Sequence, residues 1–128
     1  MKLLFDTHSF IWFFEGDQRL PLRMRRLIAD DGNELLLSIA SLWEMAIKIR
    51  IGKLNLAQPF ETVIHENVTL KDIRVYGVVV EHTFAVAKLP LHHRDLFDRM
   101  LAAQSLTDNL PLISADPLFD PYGVNRIW

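Results

Sequence analysis

The sequence contains no cysteine, which removes disulfides, thiolate nucleophiles and cysteine-based zinc sites from consideration. Long apolar stretches are missing too. The longest, residues 10–14, falls far short of the roughly 20 residues a membrane-crossing helix needs. Asp6 follows Met1 and Lys2 too closely for a secretory leader. Charge is nearly balanced at a formal −2, so the chain is not coated with positive charge for nucleic acid. Repeats, low-complexity tracts and linkers are also absent. These absences predict a soluble, cytoplasmic protein built as one domain over residues 1–128. A hydrophobic content of 50% suffices for a real core.

Short apolar runs alternate with helical patterns along the chain. Residues 2–5, 35–38, a segment within 73–80 placed at the valines 78–80, 112–113 and 124–127 read as strands. Residues 7–14, 21–30, 41–51, 59–70, 81–89 and 95–107 read as helices, with Gly52, Pro90 and the Asp108-Asn109 pair as stops. This alternation predicts an α/β fold with a parallel sheet and helices on both faces. Right-handed crossovers then open every strand-to-helix turn on one sheet edge, where ligands bind in open α/β sheets.

The acids fall at that edge. Asp6 ends the first apolar run, Glu44 follows the second strand, Asp95 and Asp98 open a long helix, and Asp116 follows Leu112-Ile113-Ser114. Each has an ordinary explanation. Asp6, Asp95 and Asp116 suit caps and turns, Asp98 suits the first turn of a helix, and Ser41 with Glu44 matches a capping box. Taken together they point further, because caps need neither acids nor side chains long enough to converge. Carboxylates packed together without Lys neighbours repel and rise in pKa, and a hard divalent cation relieves that penalty. Ser9 and Ser114 are predicted to hydrogen-bond these acids. His8 is expected to pack, His92 and His93 to lie on the surface, and Trp12, Phe13, Trp43 and Phe97 to be core.

The stretches Leu4-Phe5-Asp6-Thr7-His8, Ser38-Ile39-Ala40-Ser41-Leu42-Trp43-Glu44, residues 89–102 and Leu112-Ile113-Ser114-Ala115-Asp116 together resemble PIN-domain proteins. The likeness is strongest to VapC ribonuclease toxins of bacterial VapBC toxin–antitoxin pairs, and it spans essentially the whole chain. It implies a three-layer α/β/α sandwich on a central parallel sheet of about five strands. It also implies a Mg²⁺- or Mn²⁺-dependent endoribonuclease. Asp6, Glu44, Asp98 and Asp116 match the family's acidic quartet as catalytic and metal-binding residues, and Asp95 matches an additional metal-side acid. Ser114 stands where the family often has Thr, keeping the hydroxyl. Relatives further imply a homodimer and a VapB-type antitoxin, the two able to assemble on operator DNA.

On this reading Asp6 and Asp98 are the central ligands, while Glu44 and Asp116 bind a second ion or orient waters. Arg94, Arg99, Lys48, Arg50 and Lys53 are expected to position the RNA backbone, a contact that places a strand without reading its sequence. Their plainer reading is a set of solvated helix faces. A phosphate-accepting receiver domain is disfavoured, because Thr7 and His8 stand where it needs acids and no Lys follows Lys88. A non-catalytic PIN-fold module binding RNA or protein and a DNA-directed nuclease on the same scaffold remain as alternatives.

Overall fold

The computed structural model describes residues 1–128. Five parallel strands form one sheet in the order β3-β2-β1-β4-β5, with β1 at Lys2–Phe5, β2 at Glu34–Ser38, β3 at Arg74–Tyr76, β4 at Leu112–Ile113 and β5 at Arg126–Ile127. The helices are α1 (Thr7–Glu15), α2 (Leu22–Ala29), α3 (Ile39–Arg50), α4 (Phe60–Ile64), α5 (Val80–Lys88) and α6 (Leu96–Asp108). A π-helical stretch, His65–Thr69, continues α4, and a 3₁₀ helix covers Pro117–Tyr122. No helix is long and apolar enough to cross a membrane.

The central strands are apolar on both sides because both sheet faces are covered. Leu3, Phe5, Leu35 and Leu37 point to one face, where Phe10, Met24 and Met45 pack against them. Leu4, Leu36 and Leu112 point to the other, against Leu101, Ala102, Phe119 and Tyr122. The period-2 alternation of a strand thus splits one apolar run between two cores, giving the three-layer sandwich. Phe5 has no exposed surface and packs edge-on against Phe10 at 5.7 Å. Truncating it to Ala would cost about 3–5 kcal/mol.

Three local expectations are corrected. The triple valine at residues 78–80 is not a strand. β3 is Arg74–Tyr76, paired from Leu36↔Arg74 to Ser38↔Tyr76, while Val79 caps α5 and Val80 begins it. α3 begins at Ile39 with Ser38 as its cap, so Ser41 and Glu44 form no capping box. Trp43 is not core but 65% exposed, meeting the half-buried Phe97 edge-on at 5.4 Å. Trp12 and Phe13 do pack against the core from its margin.

Candidate active site

Asp98 and Asp116 meet at the carboxyl edge of the sheet, and the charges of Asp6 and Glu44 reach Asp98 there. β1 delivers Asp6 directly, and the Asp6 backbone N–H donates to Ile113 O at 3.0 Å, which fixes it beside the end of β4. There Asp6 caps α1, with Oδ1 accepting from Ser9 N at 2.8 Å. Asp6 is only 5% exposed. Burial pushes its carboxyl above the ordinary range, opposed by hydrogen bonding from Ser114 and Ser9. Ser9 Oγ itself is buried with no close partner, and Ser114 Oγ accepts from Asp116 N at 3.0 Å.

Glu44 reaches the same edge from α3. Its Oε1 accepts from the Thr7 hydroxyl at 2.6 Å, and Ser41 Oγ lies 3.0 Å from the Thr7 oxygen, which with its one proton spent on Glu44 is left to accept. Oε2 meets Lys48 Nζ at 2.7 Å, one helical turn on. The expectation of carboxylates without a Lys neighbour is therefore wrong for Glu44: an i,i+4 spacing on the helix surface brings the two together.

Asp98 and Asp116 meet through a residue the sequence reading left on the surface. His93 Nε2 stands 3.0 Å from Asp98 Oδ2 and 2.9 Å from Asp116 Oδ2, and the His93 side chain is only 12% exposed. Its Nδ1 accepts from Asp95 N at 3.2 Å, which leaves the proton on Nε2. His93 is therefore a donor between two acids. It turns inward because its backbone N–H donates to Tyr122 Oη at 2.8 Å, a tie 29 residues distant that no local pattern reveals. The His92-His93-Arg94-Asp95 run before α6 was the available signal. His92 is exposed, as expected.

Asp98 is shifted upward as well. Its carboxyl is pushed up to about 7, first by burial and then by the Asp95 charge, with His93 opposing and Glu44 and Asp6 adding to the rise. Asp95 itself is the cap of α6, with Oδ1 accepting from Phe97 N at 2.9 Å and Asp98 N at 3.0 Å.

The donor set suits a divalent cation. One oxygen each of Asp98 and Asp116 and His93 Nε2 lie within 4.8 Å of one another; with Nε2 protonated the two carboxylates, and not His93, are the donors, and Asp6 lines the same opening as Asp116. Asp6, Glu44 and Asp95 stand outside that three-residue group, each with an oxygen already accepting a hydrogen bond. The Nε2–H of His93 offsets part of the carboxylate repulsion, as a cation does.

The basic residues separate into three kinds. Lys48 and Lys53 line a cleft with His8, Trp12 and Arg19, so His8 is an exposed wall of this cleft rather than packed. Arg50 and Arg94 are exposed and lie outside it. Arg99 faces inward, its guanidinium donating to Pro90 O at 2.9 Å, Leu89 O at 3.2 Å and Val86 O at 3.3 Å, and so staples the loop before α6.

A parallel five-stranded sheet with carboxylates gathered at its carboxyl edge defines an α/β protein of the PIN type, and a PIN-domain family model matches residues 3–124. The chain belongs to the PIN-domain family, whose members are in general nucleases that use divalent metals. Among solved structures it is similar to the VapBC2 complex of Rickettsia felis bound to a fragment of its promoter DNA, with 13% identity, TM-score 0.74, and coverage of 99% of this chain and 98% of that one. It is also similar to VapBC-1 of nontypeable Haemophilus influenzae, with 17% identity, TM-score 0.68, and coverage of 99% and 97%. No curated protein matches the chain.

Proposed function

We propose that this protein is a Mg²⁺- or Mn²⁺-dependent endoribonuclease, acting as the toxin of a toxin–antitoxin pair. The observation that carries the reading is the approach of Asp98 and Asp116 to one point, each about 3 Å from His93 Nε2, beside the buried Asp6. Asp6, Asp98 and Asp116 would hold the metal. When bound, a divalent ion activates water and stabilises charge on a scissile phosphate.

The chain's own residues do the rest. Thr7 and Lys48 hold Glu44 in place with its charge offset, Asp95 fixes the first turn of α6 and so aims Asp98, and Ser114 holds the backbone at Asp116. Ser, Cys and His nucleophiles are not required. Lys53 flanks the site and can take a phosphate of the strand.

The toxin role is supported by likeness in fold to two VapBC complexes, one of them on promoter DNA. A VapB-type antitoxin is the corresponding partner, with assembly on operator DNA. A homodimer is proposed across the apolar face of Ile39, Trp43, Ile47, Val78 and Leu96, which lines one groove beside the acids and is exposed by 44, 65, 38, 37 and 77% respectively. Contiguous exposed apolar surface of this kind marks interfaces.

The test is cleavage of single-stranded RNA with and without Mg²⁺ or Mn²⁺, by wild type and Asp6→Asn, with single-stranded DNA alongside. The expected result is metal-dependent RNA cleavage that Asp6→Asn abolishes without unfolding the protein. Normal cleavage by the variant overturns the site, and cleavage of DNA alone overturns the substrate. Sequencing the RNA ends made on induction in cells identifies the target.

A further inference from the structure

The turn after α1 lays an arginine plane, paired with Asp17, beside the acids. Gly16 closes α1 at φ 65°, a left-handed conformation suited to glycine. That lets Asp17 N return to Trp12 O at 2.9 Å. Asp17 then grips Arg19, through Nη2 to Oδ2 at 2.7 Å, Nε to Oδ2 at 3.1 Å and the Arg19 backbone N–H to Oδ1 at 2.9 Å. Arg25 pins the turn from behind by donating to Asp17 O at 2.8 Å and Leu20 O at 3.0 Å.

The result lays the Arg19 guanidinium over the Trp12 ring, 4.9 Å from its centroid. Trp12 is backed in turn by Trp128 at 5.8 Å. The Arg19 side chain is 66% exposed, so its outer face is open. This stack lines two adjoining clefts. One holds Asp6 and Asp116. The other holds Lys53, Glu15 and Lys48, whose ammonium is already paired with Glu44.

Such a layout suits a single nucleic-acid strand. An Arg plane accepts an unstacked base, aromatic support adds a cation–π contribution, and a lysine one step away takes the phosphate. Resting on the ribonuclease reading above, we propose that the Arg19–Trp12 stack is a subsite for the nucleobase flanking the scissile phosphate of single-stranded RNA, with Lys53 receiving the adjacent phosphate. Arg19 is a binding residue for the strand and Asp17 a positioning residue for Arg19.

The test is binding of a fluorescent single-stranded RNA octamer with Ca²⁺ in place of Mg²⁺, followed by anisotropy. A second series carries one abasic nucleotide stepped along the strand. Arg19→Ala is expected to weaken binding on the order of tenfold. Arg19→Lys, which keeps the charge and loses the plane, is expected to stay near the Ala variant. One abasic position should weaken wild type by a similar factor and Arg19→Ala not at all. Lys53→Ala should weaken every strand alike and lower the salt slope by about one. Mn²⁺ affinity and melting temperature serve as readouts that Arg19→Ala leaves unchanged. Wild-type binding by Arg19→Ala or Arg19→Lys, or an abasic loss equal in wild type and Arg19→Ala, overturns the subsite alone. If wild type neither binds nor cleaves RNA, the ribonuclease reading falls and the subsite with it.

Discussion

His93 Nε2 lies 3.0 Å from Asp98 Oδ2, and the same nitrogen hydrogen-bonds Asp116 at 2.9 Å. One imidazole proton thus sits between two carboxylates that repel each other. Replacing His93 with Ala leaves both acids without their shared donor, at a cost of about 1–3 kcal/mol to the metal-free protein. Differential scanning fluorimetry should show a lower melting temperature in chelator and a larger rise on adding Mn²⁺ than in wild type. An unchanged metal-free melting temperature contradicts this role.

Thr7 and Glu44 set the second relationship. The Thr7 hydroxyl is buried and donates to Glu44 Oε1 at 2.6 Å. Thr7→Val keeps the shape and removes the donor, leaving a carboxylate that is 3% exposed short of a partner. Urea unfolding should report a loss of about 1–3 kcal/mol. A loss within error of zero would show that Lys48 alone satisfies Glu44.

The pH dependence follows from Asp98. Its carboxyl titrates at about 7 in the folded protein against an ordinary 3.8. A raised carboxylate pKa means that the folded state penalises the charged form. The metal-free fold is therefore least burdened below pH 4 and loses stability as pH rises from there through about 7. Asp6, also raised by burial, works in the same direction. Metal needs the ionised form, so metal affinity should climb across the same window. Melting curves in chelator should fall more steeply with pH for wild type than for Asp98→Asn, and equal slopes contradict the assignment.

Trp43 tests the proposed assembly. Trp43→Glu places a charge in the middle of an apolar face and should convert a dimer to a monomer by light scattering, with the melting temperature little changed because the side chain is 65% exposed. Wild type that is monomeric at high concentration removes the homodimer.

Much of this arrangement is readable in the sequence. β1, β2 and β4 are short apolar runs that no other element can use, and the acids at their ends follow from strand polarity. What escaped reading depends on partners distant in the chain. The triple valine has high β propensity, yet Tyr76 pairs with Ser38 and leaves residues 78–80 beyond the sheet. Strand propensity yields to pairing in this way. Trp43 is a large aromatic on a helix whose inner face is already filled by Ser41, Glu44 and Met45. His93 reads as a surface residue until Tyr122 fixes the loop that turns it inward.

The most direct measurement is anomalous diffraction from crystals soaked in Mn²⁺. The account predicts a peak within bonding distance of carboxylate oxygens of Asp98 and Asp116, adjoining Asp6, and its loss in Asp98→Asn crystals. A protein that cleaves RNA while its ion lies elsewhere, or that shows no ion among these acids at saturating Mn²⁺, contradicts it.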